Sequence, residues 1–442
     1  MVHPLYDILL NDLRTDISQM AEEGHDAKGL LEELEVAKTA GTLDALAALQ
    51  EDLWQRPSPA SYPYDEPNDW ESISTHFPDP EVMPEIRGDE LADRLLAAWR
   101  GRCAGCQLGK PVEGASPAQV REVLESVGSW PLLDYMNRVP EPRRQALAAS
   151  SEAFRRYYRE HLCKGGFDSV EPDDDIHYAI VGQLVLERFG REFTAQQAID
   201  MLLEVTPVSS LYAAGRSMFR TSLFGLRPPY TAISGNSCRQ SLGGQIRCDP
   251  WGWAAPGDPR LAARMAHRDA SNSQTRNGIY SAIFFSALMA TALAQGDAVT
   301  ALRTAEHYVP PKSRFAEMLG FVESACAERD SWEEVNAAIY ARYAAETRVV
   351  NHSLPNAAIV VMALLKGGGD FSRTIGIAVM AGLDTDCSGA TAGSIMGCAL
   401  GTRGIPPHWT DPFHDRIRTH LKGLAELSIR DMARRMHDVA RR

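Results

Sequence analysis

The chain has 442 residues, 44% hydrophobic and 23% charged, with a formal net charge of −13. That length holds one large domain or two to three smaller ones and supports a sizeable apolar core. The acidic balance excludes a generic nucleic-acid or anionic-membrane binder, which needs clustered Lys and Arg.

The charge is uneven: −9 over residues 1–55, −5 over 56–88 and +1 over 89–442. The first elements read as an acidic helical hairpin. Leu5, Ile8, Leu9, Leu13, Ile17 and Met20 recur at 3–4 spacing, and a second amphipathic stretch runs from Leu30 to Leu53. One reading of this hairpin is an extension packed on the main domain; the other is a module that docks a partner or a second protomer. The start of the chain shows no basic and apolar signal-peptide pattern. Pro57, Pro59, Pro63 and Pro67 make 56–88 a linker with a non-helical first part.

From 89 to 442 helical periodicity dominates and strand signals are scarce, which predicts an all-α domain of roughly 350 residues. Thr194 with Gln197 and Ser331 with Glu334 form capping boxes, and Ser353 ahead of Pro355 reads as an N-cap. The segments 140–171 and 222–260 read as long loops. The longest uncharged apolar stretch, Ile279 to Ala294, has 16 residues. It falls short of the roughly 20 that cross a bilayer and predicts a buried helix. Eight cysteines in so long a chain do not make a disulfide framework, so a reducing, cytoplasmic setting is expected. Cys103 and Cys106 form a lone CxxC without a second pair or suitably spaced histidine, which argues against zinc or redox use.

Two acidic clusters carry the chemistry. Asp173-Asp174-Asp175 opens an apolar helix, where one or two acids serve as caps worth roughly 0.3–1 kcal/mol each. Three adjacent carboxylates also repel one another, and a bound cation would relieve that. The second cluster, Asp384-Thr385-Asp386, precedes Gly389, Gly393, Gly397 and Gly401 at i, i+4, i+8 and i+12. Each glycine costs up to about 1 kcal/mol in a helix interior relative to Ala. The compensating gain is close approach of another helix, which would fix the acidic turn. Two such turns brought together suit a hard divalent cation; the alternative is a tight helix contact with incidental acids. His177, one turn inside the Asp helix, reads as packing or support.

Three blocks in order resemble the ADP-ribosylglycohydrolase family: GRCAGCQLGKPVEG (101–114), PDDDIHYAIVGQLVLERFG (172–190) and GLDTDCSGATAGSIMGCALG (382–401), with IPPHW following at 405–409. The resemblance implies an all-α orthogonal bundle with two Mg²⁺ or Mn²⁺ ions. It makes Asp173, Asp174, Asp175, Asp384, Asp386 and Cys387 metal ligands, and Glu113 and Asp174 catalytic. Gly109, Gly235, Asn236 and Asn277 become substrate-binding. Asp173 and Cys387 stand where the family usually has Thr or Ser, and Cys106 stands in place of its Asp. The implied reaction is metal-dependent cleavage of a ribosyl N- or O-glycosidic bond in an ADP-ribosylated substrate. The alternatives are hydrolysis of a smaller N-ribosyl compound and a non-catalytic ligand-binding relative.

Overall fold

Helix starts are favoured where short polar side chains can hold free backbone N–H groups, and the computed structural model shows the chain using such caps at many of its helices. The structure describes residues 4–79 and 83–442. Both predicted capping boxes form, Thr194 with Gln197 and Ser331 with Glu334. At the third expected cap the boundary moves by one residue. His352 caps Leu354 N–H, and Ser353 is the first helical residue.

The N-terminal segment is three helices rather than a two-helix hairpin: α1 (Pro4–Glu22), α2 (Ala27–Ala40) and α3 (Leu43–Gln55). The stretch from Leu30 to Leu53 keeps helical periodicity on both sides of a break. Gly41, at φ +69°, ends α2, and Thr42 caps α3 through Ala45 N–H. Leu13, Ile17, Leu30, Leu34, Leu46 and Leu53 form a small core of their own. Each fully buried leucine contributes roughly 1.5–3 kcal/mol.

Residues 56–69 are non-helical, as the prolines require, but this segment lies against the main domain. The Asp65 N–H donates to Lys312 O at 3.1 Å. The Tyr280 hydroxyl donates to Pro67 O at 2.5 Å. A short helix, Trp70–Ser74, follows.

Helices build the main domain from Gly88 onward; strand structure among the described residues is one antiparallel pair, Arg416–Arg418 with Glu426–Ser428. The segment 140–171, expected as a loop, contains the helices Glu141–Ser150 and Glu152–Tyr157. The segment 222–260 likewise contains short helices, Asp249–Trp253 among them. Short amphipathic turns of this kind leave too few periods for a sequence pattern to detect. The helix Asn277–Gln295 is long and apolar enough to cross a membrane by length and composition, and 94% of that window is buried inside the protein.

The contact that positions the site joins helices Gly88–Gly109 and Thr385–Leu400. The glycine stripe meets a second one. A Cβ on Gly105 would lie 1.9 Å from Gly389 O, one on Gly101 2.0 Å from Gly393 O, and one on Gly397 2.3 Å from Ala97 O. Two helix backbones therefore touch directly, and the lost helix propensity is offset by that packing.

Candidate active site

The paired glycine helices end at the same level and deliver their acidic turns to one place. Gly109 lies against the backbone of Thr385 and Asp386, and the Thr385 hydroxyl donates to Gly109 O at 2.8 Å. The next turns are stitched together by Gly114 N–H to Leu383 O (2.8 Å) and Leu383 N–H to Ala115 O (3.1 Å). Leu383 adopts φ +63°, a left-handed conformation that costs a branched residue roughly 1–2 kcal/mol. This backbone clamp sets Glu113 beside Asp384 and Asp386.

The second acidic turn arrives on the helix Asp174–Phe189. Asp173 is its N-cap and accepts the Asp175 N–H at 2.9 Å. Arg102, fully buried on the glycine helix, holds this turn. It donates to the Asp175 carbonyl (2.6 Å) and carboxylate (3.2 Å) and to Asp249 (2.7 Å). The Lys110 Nζ donates to Asp173 Oδ2 at 2.8 Å and to Pro172 O at 2.7 Å.

Three overlapping groups result, each with its ligand atoms within 4.8 Å of one another: Cys106/Asp173/Asp386, Glu113/Asp384/Asp386 and Asp173/Asp174/Asp175. Their six acids line a cavity of about 690 Å³ together with Arg156, Tyr157, Arg159, His177, Arg247 and His420, while Cys106 is buried behind it. Glu113 stands on its open side. Desolvation, followed by the Glu113 charge, pushes Asp384 up to about 7, and the same two causes raise Asp386 well above the carboxylate range. Desolvation and then the Asp173 charge raise Asp174 and Glu113. Burial opposes the charge on Lys110, but Asp173 more than offsets it and the pKa rises.

These residues fit a hard divalent cation. The donors are carboxylate oxygens, Glu113, Asp384 and Asp386 have no basic partner among the described ion pairs, and Asp386 Oδ1 is buried without a hydrogen-bond partner.

Five of the proposed ligands, Asp173, Asp174, Asp175, Asp384 and Asp386, thus converge with Glu113. Cys387 does not join them. Its thiol lies outside the cavity lining, accepts from Gln245 Nε2 at 3.7 Å, and burial holds it protonated. The expected substrate-binding residues also lie elsewhere. Gly109 serves the helix contact. Gly235 N–H donates to Asp16 of α1 at 3.0 Å, and a Cβ there would lie 2.4 Å from the Asp12 carboxylate. Asn236 ties Ala232 O to Ser273 O, and Asn277 donates to Glu66 and Gln240. None of the four lines the cavity. Sequence reasoning missed Lys110, Arg102, Arg156, Arg159 and Arg247. A charge inside a glycine-striped, buried helix was the available signal for Arg102.

An all-helical fold around an acid-lined, cation-fitting cavity defines the class. The chain belongs to the ADP-ribosylglycohydrolase family, whose model matches residues 87–439. Membership supports a glycohydrolase from a metal-dependent family. A solved structure titled "ADP-ribosylglycohydrolase-related protein complex" resembles the fold at TM-score 0.50 and 21% identity, covering 80% of this chain and 99% of that one. No curated protein matches the chain.

Proposed function

We propose that the protein hydrolyses a ribosyl N- or O-glycosidic bond of an ADP-ribosylated substrate, using Mg²⁺ or Mn²⁺ held by the cavity acids. The observation that carries this reading is the convergence of Glu113, Asp384 and Asp386 with Asp173–Asp175 on one cavity. A bound divalent ion would supply fixed positive charge that orients ribose hydroxyls and a water. Positive charge develops at the anomeric carbon as its bond to the leaving nitrogen or oxygen breaks. The water oxygen bonds to that carbon, its proton passes to Glu113, and the leaving group takes a proton from solvent. The raised pKa of Glu113 makes it a better base than an exposed carboxylate once it is ionised. Asp174, beside it, orients the water.

Arg156, Arg159 and Arg247 on the cavity wall suit an anionic diphosphate, as does the +1 formal charge of residues 89–442. Eight free thiols accord with a reducing, cytoplasmic setting. The N-terminal helices act in cis, because Asp12 and Asp16 of α1 and Glu23 just after it already pair with Arg220, Arg239 and Arg276 of the same chain.

Assays of ADP-ribosyl-arginine, ADP-ribosyl-serine and a nucleoside panel, with Mg²⁺ or with chelator, test the reading. Metal-dependent release of ADP-ribose is expected, and turnover of nucleosides alone would move the substrate to smaller N-ribosyl compounds. The Lys110–Asp173 pair, with Cys106 in the acid cluster, favours a second reading as a non-catalytic ligand-binding relative. Binding of ADP-ribose without turnover of any panel member would select it.

A further inference from the structure

Within the cavity the acids are unequally compensated, and this bears on how many ions they hold. On the Asp173–Asp175 side the chain supplies its own cations. The Lys110 ammonium sits 2.8 Å from Asp173 Oδ2, with side chains only 12% and 10% exposed. Asp175 is held by Arg102 at 3.2 Å, with side chains 0% and 4% exposed. Asp173 belongs to both groups on this side, so an ion bound in either would face the ammonium across a single carboxylate. Two like charges that close repel even at the effective dielectric of a protein surface.

The Glu113/Asp384/Asp386 side has no basic partner among the described ion pairs. Asp386 is 3% exposed, and its Oδ1 has no hydrogen-bond partner. An unpaired buried carboxylate oxygen costs free energy unless a ligand takes it.

We propose that Lys110 takes the place of a second divalent ion, so that the protein binds one ion, at Asp384 and Asp386 beside the base Glu113. This rests on the metal-dependent reading above and departs from the two ions that the family resemblance implies. Asp173 and Lys110 then form a fixed internal ion pair beside the single metal.

Equilibrium dialysis with Mn²⁺, followed by electron paramagnetic resonance of the bound ion, tests this without relying on turnover. The wild-type chain is expected to bind one Mn²⁺ with an uncoupled six-line spectrum. Lys110→Met removes the ammonium at nearly constant length and is expected to bind two, with the broadened spectrum of exchange-coupled neighbours. Two coupled ions in the wild type would overturn the proposal while leaving the metal-dependent reading intact. No bound Mn²⁺ in the wild type would overturn both. Circular dichroism establishes that Lys110→Met is folded; if it is not, the wild-type stoichiometry alone decides.

Discussion

Carboxylates are buried in two regions of this molecule, and their partners differ. At the seam between the N-terminal segment and the main domain, each buried acid meets an arginine or a histidine. Asp12 takes both Nη groups of Arg220 at 2.9 and 3.0 Å, Glu23 takes Arg239 at 2.9 Å, and Glu22 lies 3.6 Å from His352. Glu66 accepts from Arg314 Nε at 3.1 Å and from Asn277 at 3.0 Å. Burial pushes Glu66 up, but the Arg314 charge and hydrogen bonds more than offset it and leave the pKa below the usual value. In the cavity, Asp384 sits among other acids, and desolvation with Glu113 drives it to about 7. Burial alone does not mark a functional acid: desolvation pushes Asp16 at the seam to about 7 as well, yet it lies 3.8 Å from Arg239, whereas Asp384 and Asp386 have no basic partner among the described ion pairs.

The largest expected effect breaks the cavity side. Asp384→Ala or Asp174→Ala should lower metal-dependent turnover about 10³-fold or more, read as kcat on the active substrate. Neither change should lower the unfolding temperature of the metal-free protein, because each removes repulsion. Next, Glu66→Ala should do the reverse at the seam. It strands Arg314 and Arg276 and should cost about 3–5 kcal/mol in denaturant unfolding while leaving Mg²⁺ affinity unchanged. A stable Glu66→Ala protein with weakened Mg²⁺ binding would erase the distinction.

The cavity side was the legible one. Asp173–Asp175 and Asp384–Asp386 are contiguous motifs, and the glycine stripe on the second helix announced the contact that joins them. The seam was hidden because its pairs lie about 200 residues apart in sequence, as Asp12 and Arg220 do, and no periodicity links them. The place of Gly235 was hidden for the same reason: its N–H donates to Asp16 and its missing Cβ leaves room for Asp12, both more than 200 residues earlier in the chain. Lys110 lies within residues 101–114, but its role is not legible there, because its partner Asp173 is supplied by a different helix.

Two smaller effects sharpen the comparison. Gly393→Ala puts a Cβ 2.1 Å from Gly101 O, so the glycine helices must separate, with an expected loss of about 1–3 kcal/mol in unfolding free energy. Weaker Mg²⁺ binding should accompany it, because the acidic turns sit at the end of this contact. The other effect is pH-dependent. Asp384 has a folded pKa of about 7, raised from 3.8, so its stabilising contribution is full below about pH 4 and lost as pH rises toward 7. The metal-free protein should therefore become less stable over that window. Mg²⁺ competes with the same proton, so the rise in unfolding temperature on adding Mg²⁺ should grow from pH 5.5 to pH 8, at up to about tenfold in affinity per pH unit for each proton released.

The most direct test of the unpaired cavity acids as the cation site is calorimetric titration of Mg²⁺ into metal-free wild-type, Asp384→Ala and Glu66→Gln proteins. Saturable binding is expected in the wild type and in Glu66→Gln, and none in Asp384→Ala. Absence of binding in the wild type, or undiminished binding in Asp384→Ala, would contradict the account.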